Sequence, residues 1–328
     1  MSNPITIRGA GVVGLCVASE LSRRGVPVTL RDPAAVPGPQ ACSWWAGGML
    51  APFCEGYTAE EQVVRLGQEV ADWWQSHGAT VHRNGSLVVT LARDRAELSQ
   101  FARRTTGHET VSGTDLAKLE PLLADRFDRA LFFKDEAHIN PRLSLENLQA
   151  RLITDGVTFE QTDTMPDAQT VIDCRGLAAR DALKDLRGVK GEMVILRAPD
   201  LALSRPLRLL HPRFPLYIVP RGDGVFMLGA TQIESGERGR ASVRSVMELL
   251  SAAYALHPAF GEAEVLETGV DIRPAFTDNL PRIQRDGNLI RVNGFYRHGY
   301  LLGPAYARKV GDMLFGQTIT EVPHEHSA

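Results

Sequence analysis

The sequence predicts an α/β protein in which a doubly wound, parallel-sheet unit is interwoven with an α+β unit built on a mainly antiparallel sheet. Three observations predict it. The chain opens as strand, glycine turn, helix, strand, acid over Ile5 to Asp32. A run of strand-like segments with short turns follows further on, between residues 192 and 228. The length, 328 residues, suits about two domains.

Composition narrows the class before any motif is read. Hydrophobic residues make up 44% and charged residues 23%, as in an ordinary globular protein. The 36 basic and 39 acidic side chains leave a net charge of −3, without the basic excess of a general nucleic-acid binder. No apolar run approaches the roughly 18 residues of a membrane helix. The start, Met1-Ser-Asn-Pro-Ile-Thr-Ile7, lacks the basic flank and apolar run of a signal peptide. Cys16, Cys42, Cys54 and Cys174 form no C-x-x-C pair, so no metal site is expected. A cytoplasmic protein with reduced thiols is the expectation.

The opening unit is justified element by element. Ile5-Thr-Ile7 alternates as a short strand. Val13, Cys16, Val17 and Leu21 follow at helical spacing, and Gly25 ends that helix. Val26 to Leu30 is a second strand closed by Asp32. Between strand and helix lies Gly9-Ala-Gly11-Val12-Val13-Gly14. Gly9 permits the tight turn, Gly11 lets a pyrophosphate approach the backbone, and Gly14 lets helix and strand pack closely. The helix start offers free N–H groups and partial positive charge to a phosphate. Asp32, 18 residues beyond Gly14, is placed to accept bonds from ribose hydroxyls. This is a Rossmann-type dinucleotide site, and the motif alone does not separate FAD from NAD.

The remaining elements divide into two units. Residues 1–80, 138–186 and 265–328 are expected to form the dinucleotide-binding domain, and 81–137 with 187–264 the substrate domain. Helices are expected from Glu60 to Ser76, Arg93 to Thr105, Leu143 to Thr154, Ser242 to Leu256 and Leu302 to Phe315. Strands are expected at 85–91, 157–159, 171–174, 192–197, 216–219, 225–228 and 288–293. The tail from Thr318 is polar and expected to fray.

A further set of segments resembles a known family. Ala46-Gly-Gly-Met-Leu-Ala-Pro52, Asp135-Glu-Ala-His-Ile-Asn-Pro141, Leu216-Tyr-Ile-Val-Pro-Arg-Gly222, Leu228-Gly-Ala-Thr231, Ile272-Arg-Pro274 and Arg297-His-Gly-Tyr-Leu-Leu-Gly-Pro304 stand in that order. The ordered set resembles the FAD-dependent amine and amino-acid oxidases, which include D-amino-acid oxidase and sarcosine oxidase. Within that family it looks most like the glycine oxidases of thiamine biosynthesis. Trp44 and Trp45 depart from it, standing where the family usually has small residues.

The resemblance implies noncovalent FAD and oxidative deamination of glycine or another small amino acid or amine. Hydride would pass to flavin N5, leaving an imine that gives glyoxylate and ammonia, while O2 becomes H2O2. It implies that Arg273 clamps the substrate carboxylate, a task suited to the planar guanidinium fork. It implies that the Tyr217 hydroxyl faces the substrate and that Met49 lies over the flavin. Ser43, Gly47, Gly48, Gly176, Arg297, His298, Gly299, Tyr300 and Leu301 are carried over as flavin contacts. A thiazole synthase is an implied partner, with neither nucleic acid nor membrane; the oligomeric state, a homo-oligomer included, stays open. Trp44-Trp45 admits two readings, core packing or a narrowed pocket. Open alternatives are a D-amino-acid or secondary-amine dehydrogenase with another acceptor, a flavin-binding structural subunit, and an NAD dehydrogenase.

Overall fold

The structure, a computed structural model, describes residues 4–34, 36–165, 170–211, 213 and 215–316; the tail expected to fray lies outside them. Two sheets organise the chain, and the α/β expectation is met. The first has six strands in the order Arg282–Asp286, Leu289–Asn293, Val171–Asp173, Ile5–Arg8, Val28–Asp32, Thr158–Gln161. All its pairings are parallel except the hairpin formed by the first two. Ile5, Thr6 and Ile7 are all buried, as a central parallel strand covered on both faces requires.

Nine strands form the second sheet. From its long edge strand, Glu264–Ala275, it runs through Arg187–Arg197, Val225–Gly229, Leu216–Gly222, Leu207–Leu210, Ser86–Thr90 and Arg129–Phe133 to Glu109–Ser112. Ile233–Glu234 pairs with the start of Arg187–Arg197. Every pairing is antiparallel but that of Leu207–Leu210 with Ser86–Thr90. A small pair, Met49–Leu50 with Ala137–His138, joins segments that lead into the two sheets.

Among the boundaries that differ from the sequence expectation, three bear on how the site is built. The expected return to the dinucleotide-binding unit at about 265 comes later in space: Glu264–Ala275 pairs along its length with Arg187–Arg197. The single helix expected from Glu60 to Ser76 is two, Glu61–Gly67 and Val70–Ser76. The first ends at Gly67, where a Cβ would meet the Leu301 side chain at 2.8 Å. The last helix begins at Gly299, before the expected Leu302, and contains Pro304. Proline there leaves the Tyr300 carbonyl without its i+4 donor. Trp74 Nε1 donates to that carbonyl at 3.0 Å instead.

First and last helices lie side by side. Gly303 makes the contact close, since a Cβ there would sit 3.2 Å from Cys16 Sγ. At their N-terminal ends a Cβ on Gly299 would sit 3.0 Å from Val12 Cγ1. Two helix N-termini thus open at one place, each with unsatisfied N–H groups. Among the described residues no helix is long and apolar enough to cross a membrane.

Candidate active site

One cavity of about 1090 Å³ runs from the glycine turn to the inner face of the nine-stranded sheet. That matches the upper end of ligand pockets, about 300–1,000 Å³. Of the residues expected to touch cofactor or substrate, all but Gly14 line it. Gly14 acts one layer back: a Cβ there would fall 1.9 Å from the Gly9 carbonyl oxygen, so its absence lets helix and turn close.

The diphosphate end is a cradle that side chains would fill. Gly9 has φ +100°, and a Cβ on it would collide with the Cys174 carbonyl at 2.7 Å. At Gly11 a Cβ would meet only Ser43 Oγ, at 3.7 Å, so this backbone is open to the cavity. Ser43 is buried, and its Oγ accepts from Val12 N–H at 3.4 Å. Asp32 fastens the turn, its two oxygens accepting from Ala10 N–H at 2.7 Å and Ala34 N–H at 2.8 Å. Each oxygen keeps a second lone pair for a ribose hydroxyl. Gly176, with φ +58°, is held through its carbonyl by Asn293 Nδ2 at 2.8 Å. The donor set and the open backbone fit a dinucleotide.

The middle of the cavity is bounded by the Ser43–Met49 loop and the start of the last helix. Gly48 has φ +72°, and a Cβ would strike the Ile139 carbonyl at 2.3 Å. Arg221 pins this loop from beneath, donating to the carbonyls of Ala46, Gly47 and Ile139 at 2.9–3.1 Å. The Tyr300 hydroxyl donates to the Ser43 carbonyl at 3.0 Å. The side chain of Tyr300 therefore braces the loop, while the first N–H groups of the last helix, from Gly299 to Leu301, have no intrahelical acceptor. Met49 pairs with His138 and packs against the apolar cluster that includes Ala51, Cys54 and Phe101.

Beside that helix start lies a charge cluster that motif reading does not identify. Glu55 Oε2 takes Arg297 at 2.7 Å and His298 Nε2 at 3.0 Å, and Oε1 takes Arg208 at 3.1 Å. Burial alone would push the Glu55 carboxyl up; Arg297, His298 and Arg208 outweigh it and hold it well below its ordinary 4.5. His298, carried over from the family resemblance as a flavin contact, is 4% exposed. Its Nδ1 has no partner among the described residues. Arg208 did leave a trace in the sequence, a cation inside the apolar strand Leu207–Leu210.

Behind this cluster Glu136 is buried, accepting from Cys54 N–H at 2.7 Å and from the Ser86 hydroxyl. Burial raises its carboxyl to about 7, against those two bonds and Arg208. A carboxyl raised in the folded state contributes stability that is full below 4.5 and lost as pH rises through about 7. Glu136→Gln should remove that dependence. Wild type should lose on the order of 3 kcal/mol between pH 4.5 and pH 8 relative to the variant, read by urea unfolding at both pH values. Equal pH profiles would mean that Glu136 stays ionised.

The far end is the sheet face. Residues 267, 269, 271 and 273 of the edge strand share one face. Gly191 pairs with Asp271 and Met193 with Gly269. The Arg273 guanidinium lies across Gly191, where a Cβ would be 2.3 Å from Nη2. Its Nη1 donates to the Thr231 carbonyl at 3.1 Å. No described carboxylate forms an ion pair with it. Asp271 is engaged by Arg238 at 2.7–2.9 Å and by Ile272 N–H at 2.7 Å. Tyr217 lies between two glycines: a Cβ on Gly47 would meet its ring at 2.8 Å, and one on Gly229 its hydroxyl at 2.7 Å. Arg208 is its cross-strand neighbour.

A dinucleotide cradle opening onto a sheet that presents an arginine without a described carboxylate partner is the arrangement of a dinucleotide-dependent oxidoreductase. The chain belongs to the DAO family of FAD dependent oxidoreductases, which it matches over residues 4–313. It is 52% identical over 317 residues to a Rhizobium etli oxidoreductase named for thiamine biosynthesis, ThiO, covering 94% of this chain and 96% of that one. To a glycine oxidase of Pseudomonas aeruginosa it is 28% identical over 364 residues, covering 97% and 96%. The solved glycine oxidase of Geobacillus kaustophilus shares the fold, with a TM-score of 0.82 at 20% identity over 99% of this chain and 98% of that one.

Proposed function

We propose that this protein oxidises glycine and comparably small amino acids or amines, with O2 as acceptor. The observation that carries the proposal is Arg273: a guanidinium on the cavity wall, without a described carboxylate partner, with one bond to a backbone carbonyl. A cation held in that state is a site for a substrate carboxylate. When bound, FAD would supply the hydride acceptor, with O2 taking the two electrons as H2O2.

The chain's own residues bind and orient. Gly9, Gly11 and the first helix would hold the diphosphate, Asp32 the ribose, and Ser43, Gly47, Gly48 and Gly176 the length of the cofactor. The N–H groups at Gly299, Tyr300 and Leu301 would serve the ring end where negative charge grows on reduction, with Arg297 and His298 beside them. Arg273 anchors the carboxylate, Tyr217 presents its hydroxyl on the same sheet face, and Met49 closes the opposite wall. The substrate gives up hydride and a proton to become an imine, and water converts the imine to glyoxylate and ammonia. Handover of that imine to a thiazole synthase is the route that the likeness to a thiamine-biosynthesis oxidoreductase supports.

Anaerobic glycine should bleach the flavin absorbance, and air should restore it with release of peroxide. Absence of bleaching by glycine, sarcosine and small D-amino acids would reject the proposal; bleaching without peroxide would assign another acceptor. Gly191→Ala offers a finer check. The three atoms nearest the new methyl all belong to the guanidinium at the far end of Arg273, so the fold should stand while the guanidinium is displaced. KM for glycine should rise several-fold with kcat and melting temperature nearly unchanged; an unchanged KM would place the carboxylate elsewhere.

A further inference from the structure

We propose that Trp45 is the specificity-determining wall of the amino-acid pocket, restricting substrates to those whose substituents are no larger than a methyl group. The inference rests on the amino-acid reading above, and it concerns a residue that motif comparison sets aside as a departure. The structure separates the two tryptophans. Trp44 packs against the core of the dinucleotide-binding unit, whereas Trp45 lines the cavity.

The argument is one of position along a strand. Arg273 reaches back over Gly191, the residue paired with Asp271. One alternation further along the same face is Gly269, paired with Met193. The Trp45 indole occupies the place of the missing Gly269 side chain: a Cβ there would fall 2.1 Å from its Cε3. Alternate residues of a strand are about 7 Å apart. The six-membered edge of the indole therefore lies one alternation along the same face from the bed of the guanidinium, on the wall of the cavity that both side chains line. A group on the substrate that points along the strand toward Gly269 meets this ring.

The ring is also fixed. Its Nε1 donates to the Pro39 carbonyl at 3.1 Å. Met193 and Met227 pack against it. The Arg142 guanidinium lies 5.1 Å from the ring centre and is itself held by Glu267, two residues before Gly269, at 2.8 Å. A side chain tied at its polar end and covered on its faces does not swing aside for a larger ligand, and overpacking it is costly.

The test is a paired comparison of holoenzyme variants Trp45→Ala and Trp45→Phe. Flavin reduction is followed with glycine and with D-leucine, and binding of the unreactive acetate and 4-methylpentanoate is measured by calorimetry. Trp45→Ala should raise the D-leucine to glycine ratio of kcat/KM, and the corresponding ratio of carboxylate affinities, at least tenfold, with Trp45→Phe in between. FAD content and thermal unfolding establish that each variant is folded; should the alanine variant fail to fold, phenylalanine decides on its own. A folded, FAD-loaded variant with both ratios at their wild-type values would overturn the inference. Shifted carboxylate affinities without flavin reduction by any amino acid would keep Trp45 as the pocket wall and reject the reaction instead.

Discussion

Replacing Arg273 by alanine should leave the FAD content of the protein unchanged and weaken glycine by at least tenfold. The two halves of this expectation have separate structural grounds. Arg273 lies across Gly191 and donates to the Thr231 carbonyl, and none of its hydrogen bonds among the described residues reaches the glycine cradle or Ser43, so truncating it removes no group proposed to hold the diphosphate. On the substrate side, Asp271 cannot substitute, and its carboxylate is already taken by Arg238. Charge-assisted hydrogen bonds are worth about 1.5–3 kcal/mol, which corresponds to roughly ten- to 150-fold in affinity. Arg273→Lys should recover only part of the loss, since an ammonium is a point charge without the paired fork. Anaerobic stopped-flow reduction at increasing glycine, with FAD quantified by absorbance, separates the two effects. An unchanged glycine dependence in a folded variant would remove Arg273 from the site and leave exposed Arg180 as the remaining cavity arginine without a described carboxylate partner.

Much of this site was legible in the sequence where its parts are neighbours in the chain. The turn from Gly9 to Gly14, the helix after it and Asp32 are read together because one strand–helix–strand unit contains them all. What could not be read depends on register. Gly191 and Gly269 are unremarkable in the sequence; only the pairing of two long strands shows that one is the bed of Arg273 and the other that of Trp45. Met193 faces the cavity for the same reason, and a slip of one residue would have turned it away. The break after Gly67 could not be read locally, and the close packing of that glycine under Leu301 joins residues over two hundred positions apart. Pro304 hid the true start of the last helix, since proline ordinarily interrupts one, and the compensating donor, Trp74, is equally distant. Likewise Glu55 has no local signal: its partners come from a strand at Arg208 and a loop at Arg297 and His298.

That carboxylate is where the largest loss of stability is expected. Glu55 is the shared acceptor of three cationic or hydrogen-bonding groups at the start of the last helix, two of them guanidinium groups. Glu55→Ala would leave Arg208 facing only Glu136 behind it and Arg297 with Thr58 Oγ1 at 2.6 Å. Breaking a buried ion pair from one side costs about 3–5 kcal/mol, because the remaining charge stays desolvated. Glu55→Gln should cost less, since the amide oxygen can still accept one guanidinium. The pH dependence gives the sign. A carboxyl held below 4.5 by its neighbours contributes stability that is complete above that value and lost as pH falls through its folded-state pKa. The gap between wild type and Glu55→Gln should therefore be widest at pH 7 and should close on acidification below pH 4. Urea unfolding at pH 7 and pH 3.5 reads it directly. A gap that persists undiminished in acid would mean that Glu55 acts by shape and packing, and the arrangement of Arg297 and His298 at the start of the last helix would then need a different cause.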